Sequence, residues 1–262
     1  MLDEARLREL AGLLLRAERT REAIPPLTAQ TPDLTVDDAY RVQLKVMEAK
    51  SGGTIRVAGK KIGLTSAAMQ NLLGVFEPDY GHLLTGMEVA GGGAIPLGEL
   101  LQPKVEPEVA FLLKKDLTGP GVSLSDVLRA TDAVVPALEI VDSRIRDWKI
   151  KIQDTVADNA SSARFVLGGH LTRVAGLDLS LVGLVFKRNG EILGTAAGAA
   201  VAGHPAAAVA WLANKLADFG IGLKAGEVIL SGAFLAAVTP APGDFFEACF
   251  DRLGTVGVRF TG

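Results

Sequence analysis

Near residue 95 the pattern of apolar residues changes from helical spacing to short strand-like runs, and this change limits the folds that the chain can adopt. Before it, apolar residues recur at helical spacing, as in Leu7, Leu10 and Leu14, which predicts an N-terminal helix. A second helix is predicted to begin at Thr35 with a capping-box pattern and to end before Gly52. The first part of the chain is therefore expected to be mainly helical.

Beyond residue 95 the chain consists of short, strand-like runs separated by glycine and proline. Two helices interrupt these runs, one beginning at Ser123 and one with Pro205 in its first turn. Many strands with few helices between them favour an α+β fold over a doubly wound α/β fold. We therefore predict a helical and mixed region over residues 1–95, including a short helix over 66–73, and a β-rich core over 96–262. The predicted strands cover residues 105–113, 133–141, 163–167, 181–188, 228–230, 245–250 and 256–260.

Charge and cysteine content exclude several classes of function. Lys and Arg number 27 against 30 Asp and Glu, so the net charge of −3 offers no basic surface for nucleic acid. One cysteine excludes an intrachain disulfide and a cysteine-based zinc site, and the three histidines are far apart in sequence. The charged N-terminus and the lack of a long apolar run predict a cytoplasmic protein that does not enter membranes. A metal site would have to consist mainly of carboxylates.

Three glutamates lie in segments that otherwise resemble buried strands. Glu106 and Glu108 project to one face because side chains alternate along a strand, and Pro107 between them indicates an edge or a bulge. Glu139 lies in an otherwise apolar run, where a carboxylate is costly unless it is paired or binds a metal. All-oxygen ligation suits Mg²⁺, Mn²⁺ or Ca²⁺. In the alternative interpretation the first two are solvated, and Glu139 pairs with an arginine such as Arg144.

Two further segments carry candidate polar groups. Lys61 lies among glycine and apolar residues, where burial would lower its pKa toward the range of acid–base catalysis. A lysine in a solvated loop fits the same pattern. Residues 151–162 form a polar segment before a strand, which is typical of substrate-binding loops and also of ordinary turns.

Taken together, these segments resemble the 2-keto-4-pentenoate hydratase group of the fumarylacetoacetate hydrolase superfamily, to which the sister 4-oxalocrotonate decarboxylases also belong. The resemblance runs in order over residues 5–260 without large gaps. It implies a mixed β-roll of the fumarylacetoacetase C-terminal type, a smaller helical N-terminal region, and a divalent cofactor, Mg²⁺ or Mn²⁺. The segments that carry it are GKKIGLTS (59–66), LGVFEPDYG (73–81), QPKVEPEVAF (102–111), PALEIVDSRIRDWKIKIQDTVADNASS (136–162), AGHP (202–205) and LKAGEVILSG (223–232).

The resemblance also implies the roles of particular residues. It places the family's active-site lysine on Lys61 and a substrate carboxylate contact on Ser161, with Asp158 and Asn159 near the substrate. Asp79 corresponds to the acid that positions or deprotonates water in hydratases; its alternative is an Asx-turn residue after a proline. The metal ligands implied by the family's E-x-E…E pattern are Glu106, Glu108 and Glu139.

The reaction implied is that of a lyase in catechol meta-cleavage catabolism. It hydrates 2-hydroxypenta-2,4-dienoate to 4-hydroxy-2-oxopentanoate through a dienolate that the ion stabilises. Decarboxylation of 4-oxalocrotonate is the alternative, because it passes through the same dienolate. Asp79 and the polar segment favour the hydratase, whereas Arg164 and Ala236-Ala237-Val238 match decarboxylases. Arg164 near the pocket would hold a second carboxylate, although a surface arginine fits the same position.

Two other functions, a C–C hydrolase and a non-enzymatic role, are alternatives to the lyase, and the expected binding partners follow from the lyase. Hydrolysis of an acylpyruvate C–C bond is less favoured, because it typically needs a Glu–His pair and His82 is the only candidate histidine. A non-enzymatic role would be expected if the lysine or a glutamate ligand were missing. The expected partners are a small 2-oxo or 2-hydroxy dienoate and further copies of the chain in a homo-oligomer. A partner enzyme of the same pathway is a further candidate.

Overall fold

A computed structural model describes residues 1–66, 70–71 and 74–262, and it confirms the predicted α+β class. The short helix predicted over residues 66–73 falls largely outside these residues. The helices of the described residues have the following bounds: α1 Glu4–Thr20, α2 Leu27–Gln30, α3 Val36–Lys50, α4 Leu124–Ala130, α5 Ile152–Ala157 and α6 Pro205–Ala217.

Local sequence signals explain where the long helices begin. The side chains of Asp3, Thr35 and Ser123 each accept a backbone hydrogen bond from the residue three positions on, which satisfies a donor in the first turn of α1, α3 and α4. His204 caps α6 in the same way through Nδ1, with Pro205 in the first turn. The apolar stripe of α1 is buried, as its periodicity predicts, and α1 packs on α3.

The strands of the described residues form two sheets. One has seven strands in the order β2-β1-β10-β5-β6-β7-β3, and the other has five in the order β4-β12-β11-β8-β9. Their bounds are β1 Val57–Gly63, β2 Asp79–Leu84, β3 Glu88–Val89, β4 Ala94–Pro96, β5 Pro103–Leu113, β6 Thr131–Asp142, β7 Ser162–Leu167, β8 Gly183–Arg188, β9 Glu191–Ala197, β10 Val228–Leu230, β11 Phe245–Phe250 and β12 Gly254–Thr261.

The two sheets pack face to face around β6. β11 and β12 lie against β6. On the buried face of the five-stranded sheet, the ring of Phe246 stacks on that of Phe186 and meets that of Phe260 edge to face. All seven predicted strands are present with ends that differ by at most a few residues. β1 to β4 and β9 were not predicted. Among the described residues, no helix is both long and apolar enough to cross a membrane.

The seven-stranded sheet continues across the predicted boundary at residue 95. β1 and β2 come from the first region, and β10, from near the C-terminal end, lies between β1 and β5. β10 is parallel to β1 and antiparallel to β5. The division into 1–95 and 96–262 stays a prediction, but the two regions share one sheet.

Pro107 lies inside β5 and yet leaves the ladder intact. It faces Leu138 of β6, and its carbonyl accepts a hydrogen bond of 3.0 Å from the amide of Phe234, which is in a loop. The nitrogen and the carbonyl of Pro107 point to the same side of β5. On that side β10 pairs only with residues 110–112, so no β10 residue needs a hydrogen bond from residue 107. The proline therefore occupies a local edge, as its position between the two glutamates predicts.

Candidate active site

Glu106, Glu108 and Glu139 form one buried carboxylate cluster. Glu139 of β6 stands directly opposite Glu106 of β5, and Glu108 lies on the same face two residues further along the strand. Carboxylate oxygens of the three residues lie within 4.8 Å of one another. Burial, with repulsion from neighbouring carboxylates, raises the pKa of Glu106 to about 7 and that of Glu108 well above its usual value. The pKa of Glu139 is also raised, mainly by burial.

The cluster fits a hard divalent cation. Glu139 is 0% exposed, and neither of its carboxylate oxygens accepts a hydrogen bond of normal geometry from the described residues. Glu108 accepts one hydrogen bond of 2.8 Å, from the amide of Gly232. Buried carboxylates with free lone pairs are costly unless a cation is bound, and an all-oxygen set of this kind suits Mg²⁺ or Mn²⁺. Pairing of Glu139 with Arg144, the alternative from sequence, is not observed, because Arg144 pairs with Asp158.

Lys61 joins the cluster from the neighbouring part of the sheet. Its Nζ lies 3.0 Å from Oε2 of Glu139 and donates a hydrogen bond of 3.2 Å to the carbonyl of Ala160. Burial disfavours the ammonium, but the carboxylates of Glu139 and Glu106 outweigh burial and raise the pKa of Lys61. The direction is opposite to the one predicted from burial alone. Lys60 points to the other face, where its Nζ lies 2.8 Å from Oε1 of Glu227.

Asp79 places a second acid beside Lys61. It begins β2 and pairs with Gly63 at the end of β1, so the Asx-turn alternative is not observed. Thr155 donates a hydrogen bond of 3.4 Å to Oδ2, whereas Oδ1 accepts none of normal geometry from the described residues. Burial raises the pKa of Asp79, and the nearby Lys61 opposes that shift. A carboxyl group of this kind is suited to general acid–base catalysis.

Gly63 allows the carboxyl group of Asp79 to lie against the end of β1, next to Lys61. A Cβ at this position would collide with Oδ1 of Asp79 and would lie 3.5 Å from Nζ of Lys61. The carboxyl group of Asp79 therefore fills the space that a side chain at residue 63 would take, and only glycine lets this group lie so close to β1 beside Lys61.

A cavity of about 510 Å³ connects these residues. Lys61, Asp79 and Ser161 are buried at its floor, whereas Leu235 and Ala236 are partly or fully exposed at its rim. Glu106 lines the cavity as well, so the carboxylate cluster opens into it. Most of the remaining lining is apolar, as in sites that bind small organic acids.

The polar segment reaches the cavity through a left-handed turn. Asn159, Ala160 and Ser161 have φ values of +56°, +48° and +56°. Such conformations are unfavourable for side-chain-bearing residues and often mark functional sites. The turn directs the carbonyl of Ala160 to Lys61, while Ser161 lines the cavity with a hydroxyl group that has no hydrogen-bond partner among the described residues.

Asp158 and Asn159 hold this turn in place and do not line the cavity. Asp158 accepts hydrogen bonds from the backbone amide of Arg144, at 2.9 Å, and from its guanidinium group. Burial raises the pKa of Asp158 to about 6, and Arg144 opposes that shift. The side chain of Asn159 accepts from the amide of His82 at 2.7 Å and donates to its carbonyl at 2.9 Å. It thereby acts as a strand partner for the edge strand β2.

Two other candidates lie away from the cavity. Arg164 does not line it; its Nη2 lies 3.4 Å from a carboxylate oxygen of Glu99, and the predicted contact with substrate is not supported by this position. Its place on β7, opposite Ile140, directs it elsewhere. His82 is buried, and its Nδ1 lies 3.1 Å from Oε1 of Gln43, so it offers no base for a hydrolase.

Lys104, Trp148 and Thr155 are among the lining residues that sequence reasoning missed. Period-two alternation could have found Lys104, because it shares a face of the strand with Glu106. Thr155 and Trp148 carried no comparable signal, since their positions depend on how the segment after β6 folds back over the sheet.

Comparisons with known proteins agree with the fold and identify the family. The model of the fumarylacetoacetate (FAA) hydrolase C-terminal family matches residues 87–261. A 2-hydroxyhexa-2,4-dienoate hydratase of Comamonas testosteroni is 50% identical over 250 residues, 95% of each chain. A 2-hydroxypent-2,4-dienoate hydratase of Pseudomonas putida is 51% identical over 221 residues, 84% of this chain and 100% of that protein.

A solved structure matches the whole chain. It is a 4-oxalocrotonate decarboxylase from Pseudomonas putida G7 complexed with magnesium and adipate, with a TM-score of 0.96, 40% sequence identity and coverage of 99% of both chains. The predicted β-roll with its helical N-terminal region is therefore confirmed. Because the family model covers more than half of the sequence and these relatives align over most of its length, the chain belongs to the fumarylacetoacetate hydrolase family.

Proposed function

We propose that the protein is a divalent-metal-dependent lyase that hydrates 2-hydroxypenta-2,4-dienoate to 4-hydroxy-2-oxopentanoate. One observation carries the proposal: the cluster of Glu106, Glu108 and Glu139 lies beside Lys61 and Asp79 at one cavity. The hydratases among its relatives, and the magnesium in the related decarboxylase structure, support the same chemistry.

The glutamate cluster would hold Mg²⁺ or Mn²⁺. Bound there, the ion would supply a Lewis acid for the oxygens of a 2-oxo or 2-hydroxy acid. Ser161, whose hydroxyl group faces the cavity without a protein partner, would donate a hydrogen bond to the substrate's carboxylate. The apolar lining would surround the hydrocarbon part of the dienoate and exclude bulk water from it.

Lys61 and Asp79 divide the remaining chemistry between them. The ammonium of Lys61, held by Glu139 and the carbonyl of Ala160, would stabilise negative charge that develops at the C2 oxygen. The proton that leaves the 2-hydroxyl group would be added at C5, which gives the enone. Asp79, with its raised pKa, would take the proton from water as the water adds at C4, and would pass that proton to C3.

Decarboxylation of 4-oxalocrotonate is the second candidate. The match to a decarboxylase structure favours it, as do Ala236 and Ala237 at the cavity rim. Arg164 was the other sequence feature that favoured the decarboxylase, but it does not line the cavity and so no longer supports that activity. Asp79 is needed only where water must be activated, so its position in the cavity favours the hydratase.

The two activities can be separated by one experiment. Purified protein with Mg²⁺ is offered 2-hydroxypenta-2,4-dienoate and 2-oxo-3-hexenedioate in separate reactions. Formation of 4-hydroxy-2-oxopentanoate from the first, with no CO2 from the second, is the expected result. Release of CO2 without hydration would establish the decarboxylase instead, and turnover of neither would refute both.

The proposal includes the setting in which the enzyme works. It is expected to act in the cytoplasm on a small dienoate as a homo-oligomer, and to associate with the enzyme of a neighbouring step in the same pathway. Light scattering of the purified protein would measure the number of subunits, and a monomer at all concentrations would contradict the oligomer.

A further inference from the structure

Lys104 is a cationic group in the cavity that the proposed chemistry does not use. It is half-buried, it lines the cavity, and its Nζ lies 4.2 Å from the centroid of the Trp148 ring. Within the described part of the chain, no carboxylate lies at ion-pair distance from this ammonium. Most other half-buried cations of the protein have such a partner, as Lys187 has Glu247 at 3.1 Å.

The fold fixes the direction of this side chain. Lys104 shares a face of β5 with Glu106, about 7 Å further from the centre of the glutamate cluster along the strand. Trp148 is anchored by a hydrogen bond of 3.0 Å from its Nε1 to the carbonyl of Gln102. The indole therefore holds the ammonium on one side by a cation–π contact and leaves its other side open to an anion in the cavity.

The net charge of the site explains why a cation at residue 104 would favour substrate binding. When Glu106, Glu108, Glu139 and Asp79 are all ionised, as ion binding favours, their four negative charges exceed the charge of Lys61 and a divalent ion by one. Lys104 supplies the missing positive charge. Without it the site would oppose the entry of an anionic substrate, because the low dielectric of a buried cavity strengthens repulsion.

We propose that Lys104, held against Trp148, binds a carboxylate of the 2-oxo acid substrate. The inference rests on the proposed function, because it takes the cavity as the site for a 2-oxo acid. The carboxylate is either the one beside the 2-oxo group, present in every substrate of this class, or the distal one of a dicarboxylic substrate. Arg164, which the sequence offered for a second carboxylate, does not line the cavity. Of the two described cations that do, Lys61 already pairs with Glu139, so Lys104 is placed to bind the carboxylate.

The test measures binding without turnover. Two saturated analogues serve as probes, 2-oxopentanoate with one carboxylate and 2-oxoadipate with two. Their affinities for the Mg²⁺-saturated full-length protein are measured by calorimetry for the wild type, Lys104→Met and Lys104→Arg. Lys114→Met, which removes an exposed lysine at the end of the same strand, is the matched control. In a Trp211→Phe background, the fluorescence of Trp148 reports whether the bound anion changes the surroundings of its ring.

We expect Lys104→Met to weaken binding about tenfold, since a charge-assisted hydrogen bond is lost, and Lys104→Arg to retain most of the affinity. Equal weakening for both probes would assign Lys104 to the carboxylate beside the 2-oxo group. Weakening confined to 2-oxoadipate would assign it to the distal one. Unchanged affinity for both probes in Lys104→Met would overturn the inference and leave the proposed function intact. Failure of the wild type to bind either probe would overturn both.

Discussion

Nζ of Lys61 and Oε2 of Glu139 lie 3.0 Å apart in a site where both side chains are almost completely buried. The two residues come from β1 and β6, which are separated in the sheet by β10 and β5. The contact joins the predicted catalytic lysine to the predicted metal ligands, so a change on either side is expected to affect the other.

Lys61→Met should reduce kcat by about a hundredfold or more, because the ammonium beside the reacting oxygen is lost. Lys60→Met provides the contrast, since Lys60 pairs with Glu227 on the opposite face. It should lower the stability measured by urea unfolding and leave kcat near the wild-type value at low temperature. Loss of turnover in Lys60→Met with normal turnover in Lys61→Met would reverse the assignment of the two lysines.

Glu106→Gln should abolish high-affinity Mn²⁺ binding, measured by electron paramagnetic resonance or calorimetry, while the circular dichroism spectrum stays unchanged. The neutral amide removes one of three charges that would hold the ion. Glu99→Gln, an exposed change outside the cluster, is the control and should bind Mn²⁺ like the wild type. Chelator should remove activity, and Mg²⁺ or Mn²⁺ should restore it; full activity in excess chelator would contradict the metal site.

Asp79→Asn should lower kcat for hydration with little change in the affinity for 2-oxopentanoate, because the amide keeps the shape and loses the base. Gly63→Ala should have a similar effect, since its Cβ would collide with Asp79 and crowd Lys61. Gly86→Ala, where an added Cβ meets nothing within 4 Å, should be neutral. Equal kcat values for the wild type and Asp79→Asn would exclude Asp79 from the water-addition step.

His82 should make stability depend on pH. Burial, with the nearby charge of Lys60, lowers its pKa to about 4 from 6.5. The unfolded chain binds a proton in this range that the folded one does not. Above pH 6.5 His82 is neutral in both states and does not lower the free energy of unfolding. As the pH drops from 6.5 toward 4, protonation of His82 in the unfolded chain lowers this free energy by about 3 kcal/mol.

His82→Asn should remove this dependence, because the amide can donate to Oε1 of Gln43 as Nδ1 does and does not titrate. Urea unfolding midpoints between pH 4.5 and 7.5 measure the difference from the wild type. The comparison with the wild type is needed because the raised pKa values of Glu106 and Glu139 make the free energy of unfolding fall as the pH rises, which is opposite to the effect of His82. His170→Asn, at an exposed position, is the control. Parallel curves for the wild type and His82→Asn would contradict the prediction.

The sequence was informative wherever the signal was local. Alternation along a strand placed Glu106 and Glu108 on one face, and the apolar run around Glu139 indicated that its carboxylate needed a cation. Capping patterns located the starts of α3 and α4, because a side chain near the helix end satisfies its first amides, and Pro205 located the start of α6.

Tertiary contacts could not be predicted in the same way. Asp158 was expected near the substrate, but its carboxylate is taken by Arg144, fourteen positions away, through a turn whose conformation no local pattern encodes. The pKa of Lys61 was misjudged for the same reason: its apolar sequence neighbours suggested desolvation, while the deciding carboxylates come from distant strands. β9 was missed because it lies at a sheet edge and is mostly exposed.

The position of β10 has a consequence for synthesis on the ribosome. Residues 228–230 fill the gap in the sheet between the strand that carries Lys61 and the strand that carries Glu106. The lysine and its acidic partners therefore cannot reach their final separation until this late segment has left the exit tunnel. We expect the glutamates of β5 and β6 to come together first, since these strands pair directly, and the complete site to form only after residues 228–230 have joined the sheet.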